Sequence, residues 1–252
     1  MNIILLSADT LINIFGIKVL EPVTTLTDLI VSLVCFISFY RLMKIKRTEL
    51  YFKLISIFFL TMGIATAFGG LIGHGFLYLF QTEWHLPDWF TNIFSLPIIE
   101  NASGVSPWKL PGWLTSMLSI SLLERASIEY AKPLLHPRLR KTMDWANIIE
   151  LLLFMTLTFS TLNFRFVELH SSFGLLIINT PLHLYVYWRT RSEGSKYMLI
   201  GLGFAIVSAI FFMNEWSFHK WFNYLDMAHT LMAFGAYFFY QSAKRLKLIV
   251  KE

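Results

Sequence analysis

Residues 50–80 read LYFKLISIFFLTMGIATAFGGLIGHGFLYLF, an apolar run in which Lys53 is the one formally charged side chain. A run of this length exceeds the roughly 20 residues that an α-helix needs to cross the hydrocarbon core of a bilayer. The whole chain has the same character, because 56% of its 252 residues are hydrophobic, 15% are charged and its mean hydropathy is +0.57. A soluble domain of this size needs more charge on its surface. The sequence therefore predicts an integral membrane protein.

Seven segments have the length and low charge of membrane-spanning helices. In chain order they are Val23 to Met43, Leu50 to Phe80, Leu110 to Ala131, Trp145 to Leu162, Phe166 to Trp188, Tyr197 to Met213 and Phe222 to Ala243. No linker interrupts them, so we expect a single all-α membrane domain over residues 1–252, a bundle of seven transmembrane helices. Residues 1–22 are expected to form an outer-surface segment, with an interfacial helix as one possible form. The longest connection, residues 81–109, is expected to be ordered on the outer face.

Basic residues indicate which end of each helix faces the cytoplasm. They concentrate in the connections after the first, third and fifth spans, which all fall on one side, and in the tail, residues 244–252. The opposite side holds few of them, at Lys18, Lys109, Arg165 and Lys220. Because cytoplasmic loops are enriched in Lys and Arg, we predict an N-terminus outside and a C-terminus in the cytoplasm. This distribution at helix ends also explains the net charge of +5 without a nucleic-acid partner.

Four ionisable side chains are predicted to lie at one depth within these spans. At about 1.5 Å per residue, His74 lies roughly 9 Å below the outer end of the second span, and His229 roughly 10 Å below the outer start of the seventh. Asp226 shares a helical face with His229, and Asp28 lies roughly 8 Å below the outer end of the first span. Since an unpaired charge at that depth is costly, we expect these groups to pair or to share a cation.

Small residues surround His74 in the second span, among them Gly63, Gly69, Gly70 and Gly73. They would allow either another helix or a flat cofactor to approach closely. Both interpretations stay open at this stage.

Other polar residues are predicted to have structural roles. Glu124, Arg125 and Glu129 in the third span and Glu150 in the fourth are expected to form an ion-pair cluster in the inner leaflet. His170 falls beside a connection and is expected to be a solvated loop residue. Cys35, the single cysteine, excludes an internal disulfide and a thiolate-rich metal site.

The seven spans, a histidine late in the second and the Asp226 and His229 pair early in the seventh resemble the superfamily of alkaline ceramidases and progestin and adiponectin receptors. The chain also resembles a family of uncharacterised bacterial seven-helix membrane proteins. In the characterised superfamily, a Ser-x-x-x-His motif in helix two and a His-x-x-x-His motif in helix seven bind zinc. Here His74 and His229 match one histidine of each motif, whereas Gly70 stands at the serine position and Leu225 at the other histidine position.

The resemblance implies a zinc-dependent hydrolase that acts on a lipid-like amide or ester in a bacterial inner membrane. Since residues three apart can share a ligand face, Asp226 can replace the missing histidine. The predicted metal ligands are therefore His74, Asp226 and His229, and Asp28 is the predicted catalytic general base or a group bonded to a ligand.

Two alternatives remain open. Haem b held between His74 and His229 suits two histidines at equal depth beside a glycine-lined wall. A non-enzymatic receptor, or an accessory subunit of a membrane complex, needs the polar layer only to hold helices together or to bind a ligand. The partners that the sequence predicts are the lipid bilayer and a lipid-like substrate, and it identifies no protein partner.

Overall fold

The computed structural model describes residues 10–80 and 105–249, which form seven long helices, three short 3-10 helices and one β-hairpin. The strands are β1 (Ile12–Ile14) and β2 (Ile17–Val19). The helices are α1 (Pro22–Met43), α2 (Leu50–Phe68, continued by the π-helix Gly69–Gly75), α3 (Leu110–Ala131), α4 (Pro137–Thr161), α5 (residues 165–190), α6 (Glu193–Met213) and α7 (Tyr224–Arg245). Helix α5 consists of an α-helix Arg165–Ser172, a π-helix Phe173–Asn179 and an α-helix Thr180–Thr190. The all-α prediction is confirmed for these residues.

Each predicted span coincides with one of these helices. The bounds of α3 are the predicted ones, whereas α4 begins at Pro137 rather than Trp145. Hydropathy marks only the apolar part of α4, so it missed the polar first turns. The helix can begin at Pro137 because proline is well accommodated in the first turn of a helix, where its missing N–H is not needed. The His136 side chain also accepts a hydrogen bond from the Arg138 N–H at this start.

Four helices among the described residues are long and apolar enough to cross a membrane: Pro22–Met43, Leu50–Gly75, Pro137–Thr161 and Glu193–Met213. Their outer surfaces fit this role. On α4 a row of large apolar side chains is more than half exposed, namely Trp145, Ile149, Leu152 and Leu153. An exposed apolar face of this extent is typical of contact with lipid or with another protein. The structure therefore fits an integral membrane protein.

An interfacial helix was one expected form of the segment before α1. The described part of this segment forms a β-hairpin instead. Strands β1 and β2 pair antiparallel, and Phe15 and Gly16 between them both have positive φ angles, 51° and 85°. Two such residues in succession are the geometry of a tight type I′ hairpin turn. Leu20 then donates its N–H to the Gly75 carbonyl at 3.0 Å, which ties this segment to the end of α2. Residues 1–9, and residues 81–104 of the long outer connection, lie outside the described part of the chain.

The helices pack so that α1 contacts both α2 and α7, and α2 contacts α3. Helix α7 also packs along α6, while α3 lies against α4 and α5. This arrangement brings the outer ends of α1, α2 and α7 together, and it separately joins the middle parts of α3, α4 and α5. The two candidate sites described below occupy these two places.

Close contact between α6 and α7 depends on Gly201. A Cβ atom at this position would lie 2.6 Å from the Phe239 ring and 3.0 Å from the Gly235 carbonyl oxygen. Gly203, on the same helix, would meet nothing within 4 Å. Small residues at one helix face are typical of helix packing in membranes.

We expect Gly201→Ala to lower the stability of the protein by about 1–3 kcal/mol, because the added methyl group overpacks the contact between α6 and α7. Gly203→Ala is the matched control and should be neutral or stabilising by up to about 1 kcal/mol, because alanine favours the helix. Thermal unfolding in detergent measures both. Equal effects of the two substitutions would contradict this packing.

Candidate functional site

His74 lies in the π-helix Gly69–Gly75 at the end of α2. Such segments are rare and are often found at functional sites. The Nδ1 atom of His74 lies 2.8 Å from Oε2 of Glu21, the residue that precedes α1. Its Nε2 atom lies 4.0 Å from Oδ2 of Asp28, which projects from α1.

Asp28 is shared by two histidines. Its Oδ1 atom lies 3.5 Å from Nε2 of His229 on α7, while its Oδ2 faces His74. The side chain of Asp28 is 6% exposed, and the centroids of the two imidazole rings lie 6.0 Å apart. Three of the four residues predicted to share one depth are therefore in contact around one buried carboxylate.

The hydrogen bonds of the two rings determine where their lone pairs point. Since a carboxylate can only accept a hydrogen bond, Nδ1 of His74 carries a proton and donates to Glu21. The Thr27 hydroxyl donates to the Thr24 carbonyl and lies 3.4 Å from Nδ1 of His229, so it accepts from that nitrogen. In the neutral tautomers with these protons, Nε2 of each ring carries the lone pair, and both Nε2 atoms face Asp28.

Asp226 has a different set of contacts. Asn223 and Asp226 form a capping box at the start of α7, in which Asp226 Oδ2 accepts from the Asn223 N–H at 2.7 Å. Asn223 Oδ1 in turn accepts from the N–H groups of Leu225 and Asp226. The other oxygen of Asp226, Oδ1, is buried and has no hydrogen-bond partner. Asp226 therefore stabilises the start of the helix that carries His229 and keeps one oxygen free.

The glycines of α2 pack directly against α1. A Cβ atom would lie 3.0 Å from Asp28 Oδ2 if built on Gly69, 2.9 Å from Asp28 Cβ if built on Gly70, and 2.9 Å from Thr25 Oγ1 if built on Gly75. The structure shows close helix packing at these small residues. The glycines are what allows Asp28 to reach His74.

Glu21 belongs to this group although it was not among the predicted site residues. It lies two turns before Asp28, a spacing that puts both on one side of α1 and that the sequence could have suggested. With Trp221, Asn223 and Asp226 it lines a small depression at this end of the bundle. We call Glu21, Asp28, His74, Asp226 and His229 the outer cluster.

A second cluster lies between α3, α4 and α5 and consists of Glu124, Glu150 and His170. His170 Nδ1 lies 2.6 Å from Glu150 Oε1, and its Nε2 donates to the Met117 carbonyl at 2.9 Å. Glu124 Oε2 accepts from the Asn147 amide at 3.1 Å. In the described part of the chain this is the one set of three such side chains whose donor atoms all lie within 4.8 Å of one another. We call these three residues the buried cluster.

The predictions for these residues were wrong in two respects. His170 is completely buried, with 0% exposure, because α5 already begins at Arg165 and its first turns direct this side chain inward. Glu124 and Glu150 contact Asn147 and His170 instead of Arg125. The expected ion-pair cluster does exist around Arg125 and includes Glu129 as predicted, but its other acidic member is Asp144.

Like the outer cluster, the buried cluster adjoins a π-helix. The segment Phe173–Asn179 follows His170 and ends just before Pro181. A proline lacks an N–H and its ring crowds the carbonyl four residues earlier, so the helix before it widens. The side chains of Asn179 and Thr180 accordingly donate to the carbonyls five residues earlier, at Gly174 and Leu175.

We expect Asn223→Ala to destabilise the protein by roughly 0.5–2 kcal/mol, because two N–H groups at the start of α7 lose their side-chain acceptor. Asn223→Asp is the control, since its carboxylate can accept the same two hydrogen bonds. The thermal unfolding midpoint in detergent distinguishes them. An aspartate variant as unstable as the alanine variant would contradict the capping box.

Comparison with known proteins gives a family match. The model of a family of unknown function, DUF6962, matches residues 23–248, a range that includes both π-helices and both clusters except for Glu21. No curated protein and no solved structure matches the chain.

Proposed function

Because the chain belongs to the DUF6962 family, whose function is unknown, we propose a function from the chain's own residues. The protein is a zinc-dependent membrane hydrolase whose site is the outer cluster. Its substrate is a lipid-like amide or ester. The resemblance to the ceramidase and receptor superfamily, partial in its motifs, is consistent with this chemistry.

One observation carries the proposal: the Nε2 atoms of two imidazoles from different helices face one buried carboxylate. The Nε2 to Asp28 separations of 3.5 and 4.0 Å are longer than an N–H···O hydrogen bond, for which about 2.7–3.2 Å is usual. The 3.5 Å separation at His229 is close to the roughly 3.3 Å between two ligands bound at 2.0–2.1 Å to a tetrahedral zinc ion, whereas the 4.0 Å separation at His74 is longer, so zinc binding requires His74 to move closer. Lone pairs facing a carboxylate repel it, and a cation between them removes that repulsion.

The contacts favour Asp28 over Asp226 as the carboxylate ligand, so the ligand set that we propose is His74, His229 and Asp28. Two histidines and one carboxylate are a set that catalytic zinc sites use. Glu21 and Thr27 bind the other nitrogen of each ring, as groups around metal-binding histidines commonly do. Asp28 thereby takes the ligand role that the sequence predicted for Asp226, and Asp226 takes the general-base role predicted for Asp28.

Asp226 is the proposed general base, because its Oδ1 atom is buried beside the cluster without a donor. A zinc ion held by the three ligands would polarise a carbonyl group and lower the pKa of water toward 7, which is the chemistry of amide and ester hydrolysis. The depression lined by Glu21 and Trp221 is the proposed point of entry.

The proposed topology has all seven helices crossing a bacterial inner membrane, with the N-terminus outside. Arg125 and Lys132 pair with Asp144 near the end of the bundle that carries the basic connections, which supports a cytoplasmic position for that end. The outer cluster lies at the opposite end. The lipid bilayer is then the source of the substrate.

The packing supports haem b less well. Asp28 lies against both Nε2 atoms, and Gly69 and Gly70 are covered by α1, so the space between the rings is filled by protein. A receptor or accessory subunit is supported by one contact, the 2.8 Å pair of His74 and Glu21, which joins α1 to α2 without any ion.

Zinc analysis of the full-length protein in detergent tests the site. We expect His74→Ala, His229→Ala and Asp28→Asn each to remove about one zinc per chain, because three protein ligands are needed to retain the ion. His136→Ala is the control, since His136 is exposed at the start of α4. Zinc that stays at the wild-type level in all three folded variants would overturn the proposed site.

Hydrolysis of long-chain N-acyl amides and esters tests the reaction. Asp226→Asn keeps an acceptor for the capping box and should lower the rate by about 100-fold or more, because general-base catalysis typically contributes 10²–10⁴-fold. Its zinc content should not change. A zinc-loaded wild-type protein that hydrolyses neither substrate would favour the receptor or accessory role.

A further inference from the structure

The buried cluster holds two carboxylates in the interior of the bundle, and the basic side chain beside them is His170. In the residues that the structure describes, no Lys or Arg lies within 4.0 Å of Glu124 or Glu150. Arg125, the nearest basic residue in sequence, pairs with Glu129 and Asp144 instead. Buried charges in proteins are normally paired or bound to a metal.

Two carboxylate oxygens of the cluster have no hydrogen-bond donor, Glu124 Oε1 and Glu150 Oε2. The Glu124 side chain is completely buried, at 0% exposure. Its Oε1 faces α5 at Gly174, one turn beyond His170, where an added Cβ would lie only 2.2 Å away. Gly174 therefore leaves room for this carboxylate to point toward the helix that carries His170.

His170 is oriented as a ligand. Its Nε2–H donates to the Met117 carbonyl, which can only accept, so in the neutral ring the lone pair is on Nδ1. That atom points at Glu150 Oε1, 2.6 Å away. Histidines that bind metals commonly donate their other N–H to a backbone carbonyl or a carboxylate in this way.

We propose that Glu124, Glu150 and His170 bind one first-row divalent transition-metal ion, such as zinc or manganese, which links α3, α4 and α5. Two carboxylates and a neutral imidazole balance a charge of +2, so the loaded site is neutral as a whole. The imidazole nitrogen favours a transition metal over magnesium or calcium, which prefer oxygen ligands. The ion replaces the proton shared by His170 and Glu150, since metal binding releases protons from its ligands.

This ion has a structural role, because the site is closed and its donors come from three different helices. It shares no residue with the outer cluster and does not depend on the proposed hydrolase activity. The two sites together predict two bound metal ions per chain.

Elemental analysis for manganese, iron, cobalt, nickel, copper and zinc tests the buried site in the full-length protein. The starting protein carries His74→Ala and His229→Ala, which removes the outer site, and it should retain about one metal per chain. Adding Glu124→Gln or His170→Gln should remove that ion and lower the thermal unfolding midpoint. Glu129→Gln, on the same helix as Glu124, is the matched control and should keep the ion.

If the added substitutions prevent folding, the starting protein itself is measured by X-ray absorption at the edge of the metal that it contains. A first shell with one imidazole and carboxylate oxygens is the expected result, and a shell without imidazole would overturn the proposal. A folded starting protein without metal would overturn it as well, and protons would then neutralise the cluster. Failure of the hydrolase proposal can be distinguished from failure of this one, because the hydrolase proposal concerns only the ion that is lost when His74 and His229 are replaced.

Discussion

The placement of a carboxylate in an apolar interior is the constraint on which the rest of this structure depends. Asp28 lies among α1, α2 and α7 at 6% exposure, and its two oxygens face Nε2 atoms of His74 and His229. A charged group in such a place needs a positive partner, and the two imidazole nitrogens that face it are atoms that could share a cation with it. The glycines of α2 give α1 the close approach that this contact requires.

The buried cluster obeys the same constraint with other residues. There too a histidine has one nitrogen bound to a fixed acceptor and turns the other toward a carboxylate, at His170 and Glu150. A glycine, Gly174, again makes room for an acidic side chain. Each cluster also adjoins a π-helix, in which the wider turn changes the direction of the side chains that follow. Two separate parts of the bundle therefore use the same local features.

Much of the fold could be predicted because a membrane helix needs a long apolar run, and seven such runs coincide with the seven helices of the described residues. The rise per residue and the span ends predicted one depth for His74, His229 and Asp28, and the structure brings these three side chains together. The burial of His170 could not be predicted, because it depends on which side of α5 faces α3 and α4, and an eight-residue helix next to a π-helix has too few turns to determine this. The capping role of Asp226 required knowing that α7 begins after Asn223.

The central claim is that both imidazoles of the outer cluster bind one metal ion together with Asp28. X-ray absorption at the zinc edge of the Glu124→Gln protein, in which the buried site is disabled, tests it most directly. The account predicts a first shell with two imidazoles and at least one carboxylate oxygen, and it predicts that one imidazole is lost in the added His74→Ala variant. A shell without imidazole, or one that His74→Ala leaves unchanged, would contradict it.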